Sequence, residues 1–129
     1  MDINHRGCLA EYSFASECMK RGIEVSFPLL HTSIYDCIVD YKGQLLKIQV
    51  KSTGKVPRKN RSTVHVTFHG HYPIDKVDYF AIYVDLYEGF FIFPNNGKQT
   101  AIRLSRDNIN AKYYNNFIST YKVFKRLGC

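Results

Sequence analysis

No apolar run in this 129-residue sequence approaches the length of a membrane-spanning helix, and its first residues lack the character of a secretory signal. Linkers, internal repeats and low-complexity segments are also missing. The four cysteines include no C-x-x-C pair, and the first three lie among regularly spaced apolar residues, as reduced core thiols do: Cys8, Cys18, Cys37 and Cys129. We therefore expect a single domain, 1–129, in the reducing cytoplasm, with no membrane partner.

Acidic residues are scarce relative to basic ones. Lys and Arg number 18 against 11 Asp and Glu, which gives a formal charge of +7 and a pI near 9.3. The 45% of hydrophobic residues suffices for one core, which argues against disorder. The charge favours a polyanionic partner, with nucleic acid ahead of an anionic membrane surface. A merely basic protein without such a partner is the alternative.

The apolar spacing predicts one helix near the N-terminus and a run of strands after it. The helix covers about 5–21, with Asn4 as N-cap and Gly22 just after its end. Alternating or continuous apolar segments predict strands at 23–27, 34–40, 44–52, 63–69, 78–85 and 89–93.

Two further segments complete the predicted order. The stretch 53–62 is polar and contains Gly54 and Pro57, which indicates an exposed loop. From residue 105 onward, apolar residues recur at spacings of three and four and predict a C-terminal helix: Tyr114, Phe117, Ile118, Tyr121 and Phe124. The fold class is therefore α/β, a mixed sheet flanked by helices.

Three long polar side chains project from one face of the strand predicted at 44–52. Lys47, Gln49 and Lys51 share this face, because side chains alternate along a strand. The opposite face of the same strand is apolar. Such a row of polar residues on a central apolar strand is unusual and marks a candidate site.

A hairpin would bring a carboxylate to these residues. If Lys42-Gly43 is a two-residue loop, Asp36 on the preceding strand lies opposite Gln49, with Cβ atoms roughly 5 Å apart. Lys51 then lies one step further along the same face. A register slip of one residue would move Asp36 to the other face.

This arrangement resembles the signature of the PD-(D/E)XK nuclease superfamily: an Asp on one strand, then an acidic or amide residue, any residue and Lys on the next. The matching stretches are Tyr35-Asp36 and Gln49-Val50-Lys51, and Ala10-Glu11 matches the Glu that many members place beside the metal. The resemblance spans about residues 7–94. It is greatest to small bacterial intron-homing endonucleases and archaeal Holliday-junction resolvases.

The resemblance implies a restriction-endonuclease-like fold and Mg²⁺-dependent hydrolysis of DNA phosphodiesters, with Mn²⁺ as a substitute. It implies metal ligation by Glu11, Asp36, Gln49 and the Val50 carbonyl, and it makes Lys51 the catalytic cation. Two positions depart from the pattern, since Tyr35 replaces a proline and Gln49 replaces an acid. A carboxamide ligates hard cations without contributing charge, so metal affinity should fall unless Glu11 compensates.

Simpler interpretations exist for each residue. Asp36 could pair with Lys51 across a solvated sheet face, and Glu11 could be a solvated helix residue. Lys47 could contact phosphate or only water. His65, His69 and His71 would share one face of a strand, which suggests a zinc site. No cysteine pair supports such a site, and the three residues are spread along the strand.

Site-specific cleavage of double-stranded DNA, as in homing or restriction enzymes, is the function expected from the resemblance. One such site cuts one strand, so we expect a homodimer or homotetramer. A junction resolvase and a non-catalytic DNA-binding module on the same fold are the alternatives. In either case the loop after Lys51 should hold the DNA backbone through its four cations, Lys55, Arg58, Lys59 and Arg61.

Overall fold

The computed structural model describes residues 2–30 and 32–118. Within them the chain forms one α-helix, α1 (Ile3–Lys20), and eight strands. The strands are β1 (Glu24–Ser26), β2 (Cys37–Tyr41), β3 (Gln44–Thr53), β4 (Val64–Thr67), β5 (Tyr79–Val84), β6 (Gly89–Pro94), β7 (Ala101–Leu104) and β8 (Phe117–Ile118). Short 3₁₀ turns occupy Asp85–Tyr87 and Tyr114–Asn116.

Six strands form one mixed sheet in the order β1-β2-β3-β5-β6-β8, and β4 pairs with β7 in a separate two-stranded ribbon. The β3–β5 pair is parallel, whereas the other pairs are antiparallel. The mixed α/β sheet agrees with the predicted fold class.

The two faces of the sheet are covered by different elements. Helix α1 packs through Phe14 and Cys18 on the face formed by Leu46, Ile48 and Val50. The β4–β7 ribbon covers the opposite face, where Val64, Val66, Ile102 and Leu104 pack with Phe80, Ile82, Phe91 and Phe93. Side chains that alternate between the two faces of β3, β5 and β6 therefore contribute to both hydrophobic cores, as expected for a sheet buried on both sides.

Helix α1 agrees with the predicted span apart from its cap. Asp2, not Asn4, is the N-cap, and its side chain accepts a hydrogen bond from His5 N at 2.8 Å. Gly22 follows the helix with φ +73°, and its N–H donates to Met19 O at 3.0 Å. That left-handed conformation favours glycine, as the sequence predicted.

The predicted C-terminal helix is wrong over residues 105–118. Ser105 Oγ accepts hydrogen bonds from the backbone N–H groups of Asp107 and Asn108, which stabilises a turn in place of a helix. Asn116 Nδ2 then donates to Ile92 O at 2.7 Å, and β8 pairs with the edge of β6. Tyr121 and Phe124 of the predicted helix lie outside the described residues.

Strand β7 and the status of one cysteine are further differences from the sequence prediction. No strand was expected at 101–104, which pairs with β4. Cys18 and Cys37 are buried free thiols as predicted, whereas Cys8 is exposed. In residues 2–30 and 32–118, no helix combines the length and apolar character needed to span a membrane.

Candidate active site

The β2–β3 hairpin has the register that the sequence predicted. Tyr41 pairs with Gln44, and the last pair of the ladder is Cys37 with Ile48, so Asp36 follows opposite Gln49. The two loop residues adopt positive φ angles, 52° at Lys42 and 83° at Gly43. This is the conformation of a two-residue hairpin turn that matches the strand twist.

Asp36 lies where β2 separates from β3. Its backbone N–H donates to Ile48 O at 2.8 Å, and its Oδ2 accepts a hydrogen bond from Val50 N at 2.8 Å. Strand β2 does not extend past this point, so no β2 carbonyl is available to the Val50 N–H. The Asp36 carboxylate accepts this hydrogen bond instead. Asp36 is therefore oriented by the backbone of the strand that carries Gln49 and Lys51.

Glu11 of α1 meets Asp36 from the helix side of the sheet. The two carboxyl groups lie within hydrogen-bonding reach of each other. Burial, followed by the charge and hydrogen bond of Asp36, raises the pKa of Glu11 to about 7. Burial also raises the pKa of Asp36, against the opposing effects of Val50 N–H, Glu11 and the Lys51 ammonium. Without a cation between them, the pair holds a proton at mildly acidic pH.

This pair makes the stability of the metal-free protein depend on pH. The pKa of Glu11 is near 4.5 in an unfolded chain and about 7 in the fold, so the folded state binds more protons between these values. Stability should therefore fall as pH rises through this window. Glu11→Gln should remove this contribution to the pH dependence of stability. At pH 8 the variant should melt at a higher temperature than wild type, as measured by thermal denaturation in EDTA.

A matched control lies on the same helix. Hydrogen bonds from Arg21 are the main cause of the lowered pKa of Glu17, so this carboxylate stabilises the fold when ionised. Glu17→Gln should lower the melting temperature at pH 8, the opposite of Glu11→Gln. Identical pH profiles for Glu11→Gln and wild type would contradict the proposed coupling of Glu11 with Asp36.

Lys51 is held by aromatic residues that the sequence did not reveal as part of the site. Its Nζ donates to Tyr72 Oη at 2.8 Å and lies 4.9 Å from the Tyr72 ring centroid and 5.4 Å from that of Phe68. Buried Asn95 fixes the Tyr72 loop, since its Nδ2 donates to Tyr72 O at 3.0 Å and to Val77 O at 2.9 Å. Aromatic residues often follow a strand in a sequence, so the presence of Tyr72 and Phe68 there did not identify them as partners of Lys51.

Gln49 supplies an oxygen that is available for a ligand. Among the described residues, Gln49 Oε1 is a buried side-chain acceptor without a hydrogen-bond partner. Such an atom costs about 1–3 kcal/mol unless something satisfies it. With the carboxylates of Glu11 and Asp36 it offers oxygen donors suited to a hard divalent cation. The described residues contain no group of three or more His, Cys, Asp and Glu side chains that could hold a metal, so the fit rests on these two acids and the amide.

A cleft of about 390 Å³ exposes the two acids. Glu11 and Asp36 line it together with Tyr35, and its rim includes exposed apolar residues such as Tyr12 and Leu29. Asp36, Gln49 and Lys51 are half-buried and not sealed into the core. The site can therefore be reached from solvent.

The remaining predicted residues occupy different places. The ammonium of Lys47 is hydrogen-bonded to the Asp75 carbonyl, and its backbone N–H donates to Asp78 Oδ2 at 2.8 Å. Lys59 is exposed. The other loop cations line a cavity of about 460 Å³ that we call the basic groove, which is formed by Lys55, Arg58, Arg61, His65 and Arg103 with Gly54, Val56 and Thr63.

A model of the PD-(D/E)XK endonuclease family matches residues 1–123 of the sequence. The chain belongs to this family. Membership indicates an endonuclease and implies a DNA substrate. No curated protein sequence matches the chain at a significant level.

Solved structures show the same fold. The bacterial homing endonuclease I-Ssp6803I superposes with a TM-score of 0.76 at 22% identity, over 98% of this chain and 95% of that one. Hjc, a Holliday junction resolvase from the archaeal hyperthermophile Archaeoglobus fulgidus, gives a TM-score of 0.58 at 12% identity, over 92% of this chain and 95% of that one. At these identities the likeness establishes the restriction-endonuclease-like fold.

Proposed function

We propose that the protein is a Mg²⁺-dependent endonuclease that hydrolyses DNA phosphodiesters and cuts both strands at specific sites. The observation that carries the proposal is the position of Asp36, which accepts from Val50 N–H and interacts with both the Glu11 carboxyl and the Lys51 ammonium. Family membership and the likeness to a homing endonuclease support it.

The residues that would hold the metal are Asp36, Glu11 and Gln49, together with the carbonyl of Val50. A Mg²⁺ ion held by these residues would supply a Lewis acid that offsets negative charge on the scissile phosphate. Mg²⁺ requires only one or two carboxylates and retains several waters, so this donor set is adequate. Glu11 and Asp36 would release their shared proton as they bind the ion, which makes metal affinity rise with pH.

Lys51 would act on the phosphate itself. Tyr72 Oη holds its ammonium within 2.8 Å, so the charge is in place before the reaction begins. A positioned cation in a half-buried site stabilises the negative charge of a transition state without reorganisation. Lys51 would also orient the attacking water, for which the Tyr72 hydroxyl supplies a second fixed group.

Cleavage of a duplex requires two such sites. The chain carries one set of Glu11, Asp36, Gln49 and Lys51, so we propose that a homodimer or homotetramer binds the DNA. A symmetric assembly would place one site on each strand. Sedimentation of the protein with a cleaved duplex should give at least two chains per DNA.

The deciding experiment is cleavage of a randomised linear duplex library in Mg²⁺, with sequencing of the new ends. Recurrent ends at one sequence support site-specific cleavage. Cutting of a cruciform DNA in preference to every linear duplex would instead indicate a junction resolvase. The structural neighbour Hjc is described as an enzyme of this kind. Retention of DNA without any cleavage in Mg²⁺ or Mn²⁺ would indicate a binding module.

The loop after β3 should contribute to affinity through DNA phosphates. Each phosphate contact releases counterions, so the double variant Arg58→Ala, Arg61→Ala should reduce the slope of log K against log[salt] by about 2. The measurement is fluorescence anisotropy of labelled DNA across a salt series in EDTA. An unchanged slope would show that Arg58 and Arg61 of this loop do not contact DNA phosphates.

A further inference from the structure

The outer face of the β4–β7 ribbon is not used by the proposed active site. The inner side chains of the ribbon are buried against the sheet, whereas the alternate residues, among them His65 and Arg103, point outward. His65 and Arg103 are direct partners in the ladder. Directly opposed residues on one face have Cβ atoms about 5 Å apart, so these two side chains form one cross-strand pair.

This pair forms one wall of the basic groove. Lys55, Arg58 and Arg61 complete the groove from the loop that follows β3. A second cavity shares His65 and Arg103 with it and extends to Lys112. Within the described part of the chain, no acidic side chain lines either cavity, and the two cavities together carry five permanent cations.

The ribbon is rigidly connected to the candidate active site. Val64, Val66 and Phe68 point to the same inner core, and the Phe68 ring lies 5.4 Å from Lys51 Nζ. Phe68 also stacks on Phe80 with ring centroids 4.8 Å apart. A nucleic acid on the ribbon would therefore be fixed relative to the site that we propose to cut it.

We propose that this ribbon enters the major groove of duplex DNA and reads base edges through Arg103 and His65, while Lys55, Arg58 and Arg61 contact phosphates. The major groove, about 12 Å wide, admits a two-stranded ribbon. An arginine at its centre can donate to O6 and N7 of guanine, the contact that specifies a base, whereas the flanking cations only position the duplex. The inference rests on the proposed action on DNA.

The test is selection of bound sequences from a randomised duplex library in EDTA, so that it does not depend on cleavage. Wild type should enrich a sequence that includes guanine. Arg103→Ala should reduce discrimination at one or two base pairs by roughly fivefold or more. His65→Ala should change the preference at the neighbouring base pair. The double variant Arg58→Ala, Arg61→Ala should weaken retention of all sequences alike.

Two controls separate base reading from general charge loss and from misfolding. Lys20→Ala removes an exposed cation from α1, on the opposite face of the sheet, and should leave the selected sequence unchanged. Arg103→Gln keeps a polar side chain on the ribbon and should also change the preference; its melting curve reports the fold. Methylation of guanine N7 in the selected site should prevent binding by wild type, as expected for contact in the major groove.

The outcomes distinguish this inference from the nuclease proposal. Selected sequences that are the same for wild type, Arg103→Ala and His65→Ala would overturn the assignment of the ribbon, even if Mg²⁺-dependent cleavage is found. Equal retention of random duplex, RNA and anionic vesicles by wild type would also overturn it. If Arg103→Ala loses its sequence preference and wild type shows no cleavage, the assignment of the ribbon is supported and the nuclease proposal is contradicted.

Discussion

Lys51→Met should lower the rate of Mg²⁺-dependent DNA cleavage by about 10²- to 10³-fold, the usual effect of removing one preorganised electrostatic group from a transition state. The ammonium is lost, but the methionine retains an unbranched apolar chain to pack against Phe68 and Tyr72. The fold and the affinity for DNA should therefore change little. Single-turnover cleavage at saturating enzyme measures the chemical step, and anisotropy measures binding separately.

Lys20→Met is the matched control for charge. Lys20 is exposed on α1 and forms an ion pair with Glu17 at 3.3 Å, an interaction that contributes little at a surface. This variant should cleave at the wild-type rate. Cleavage by Lys51→Met within threefold of wild type would show that its ammonium does not act on the phosphate.

Asp36→Asn should abolish both metal binding and cleavage. The amide oxygen of asparagine can still accept from Val50 N–H, so the hairpin end keeps its geometry while the carboxylate charge is lost. Charge stabilisation by a metal accounts for several kcal/mol, so cleavage should fall by about 10³-fold or more. Wild-type protein should gain thermal stability as Mn²⁺ is added, whereas Asp36→Asn should melt at a constant temperature.

Asp40→Asn tests whether this effect belongs to the site. Asp40 lies on β2 near the hairpin turn, where its Oδ1 accepts from Gly43 N at 3.0 Å, a contact that asparagine preserves. Its Mn²⁺ response and cleavage rate should equal those of wild type. A full Mn²⁺ response in Asp36→Asn would place the metal elsewhere and contradict the ligand assignment.

The candidate site could be predicted from the sequence where local rules fix the geometry. Lys42-Gly43 is a two-residue loop, and its positive φ angles set the register that brings Asp36 opposite Gln49. Alternation along β3 then places Lys51 on the same face as Gln49. The helix that carries Glu11 had a clear apolar stripe, and the structure places Glu11 beside Asp36.

Contacts between distant parts of the chain could not be predicted in this way. Strand β7 has four residues and exists because it pairs with β4, whose partner residues precede it by more than thirty positions. Tyr72 reaches Lys51 only through a loop that Asn95 holds in place. After residue 105 the apolar spacing suggested a helix, but the side chains of Ser105 and Asn108 bond to nearby backbone N–H groups and favour turns.

We propose that Asp36 and Gln49 bind a divalent ion beside Lys51, and the assigned chemistry depends on this ion. Anomalous diffraction from crystals grown with Mn²⁺ tests it most directly. We predict one strong anomalous peak in contact with the Asp36 carboxylate and with Gln49 Oε1. A map with no peak there, or with Mn²⁺ bound only at other residues, would contradict the account.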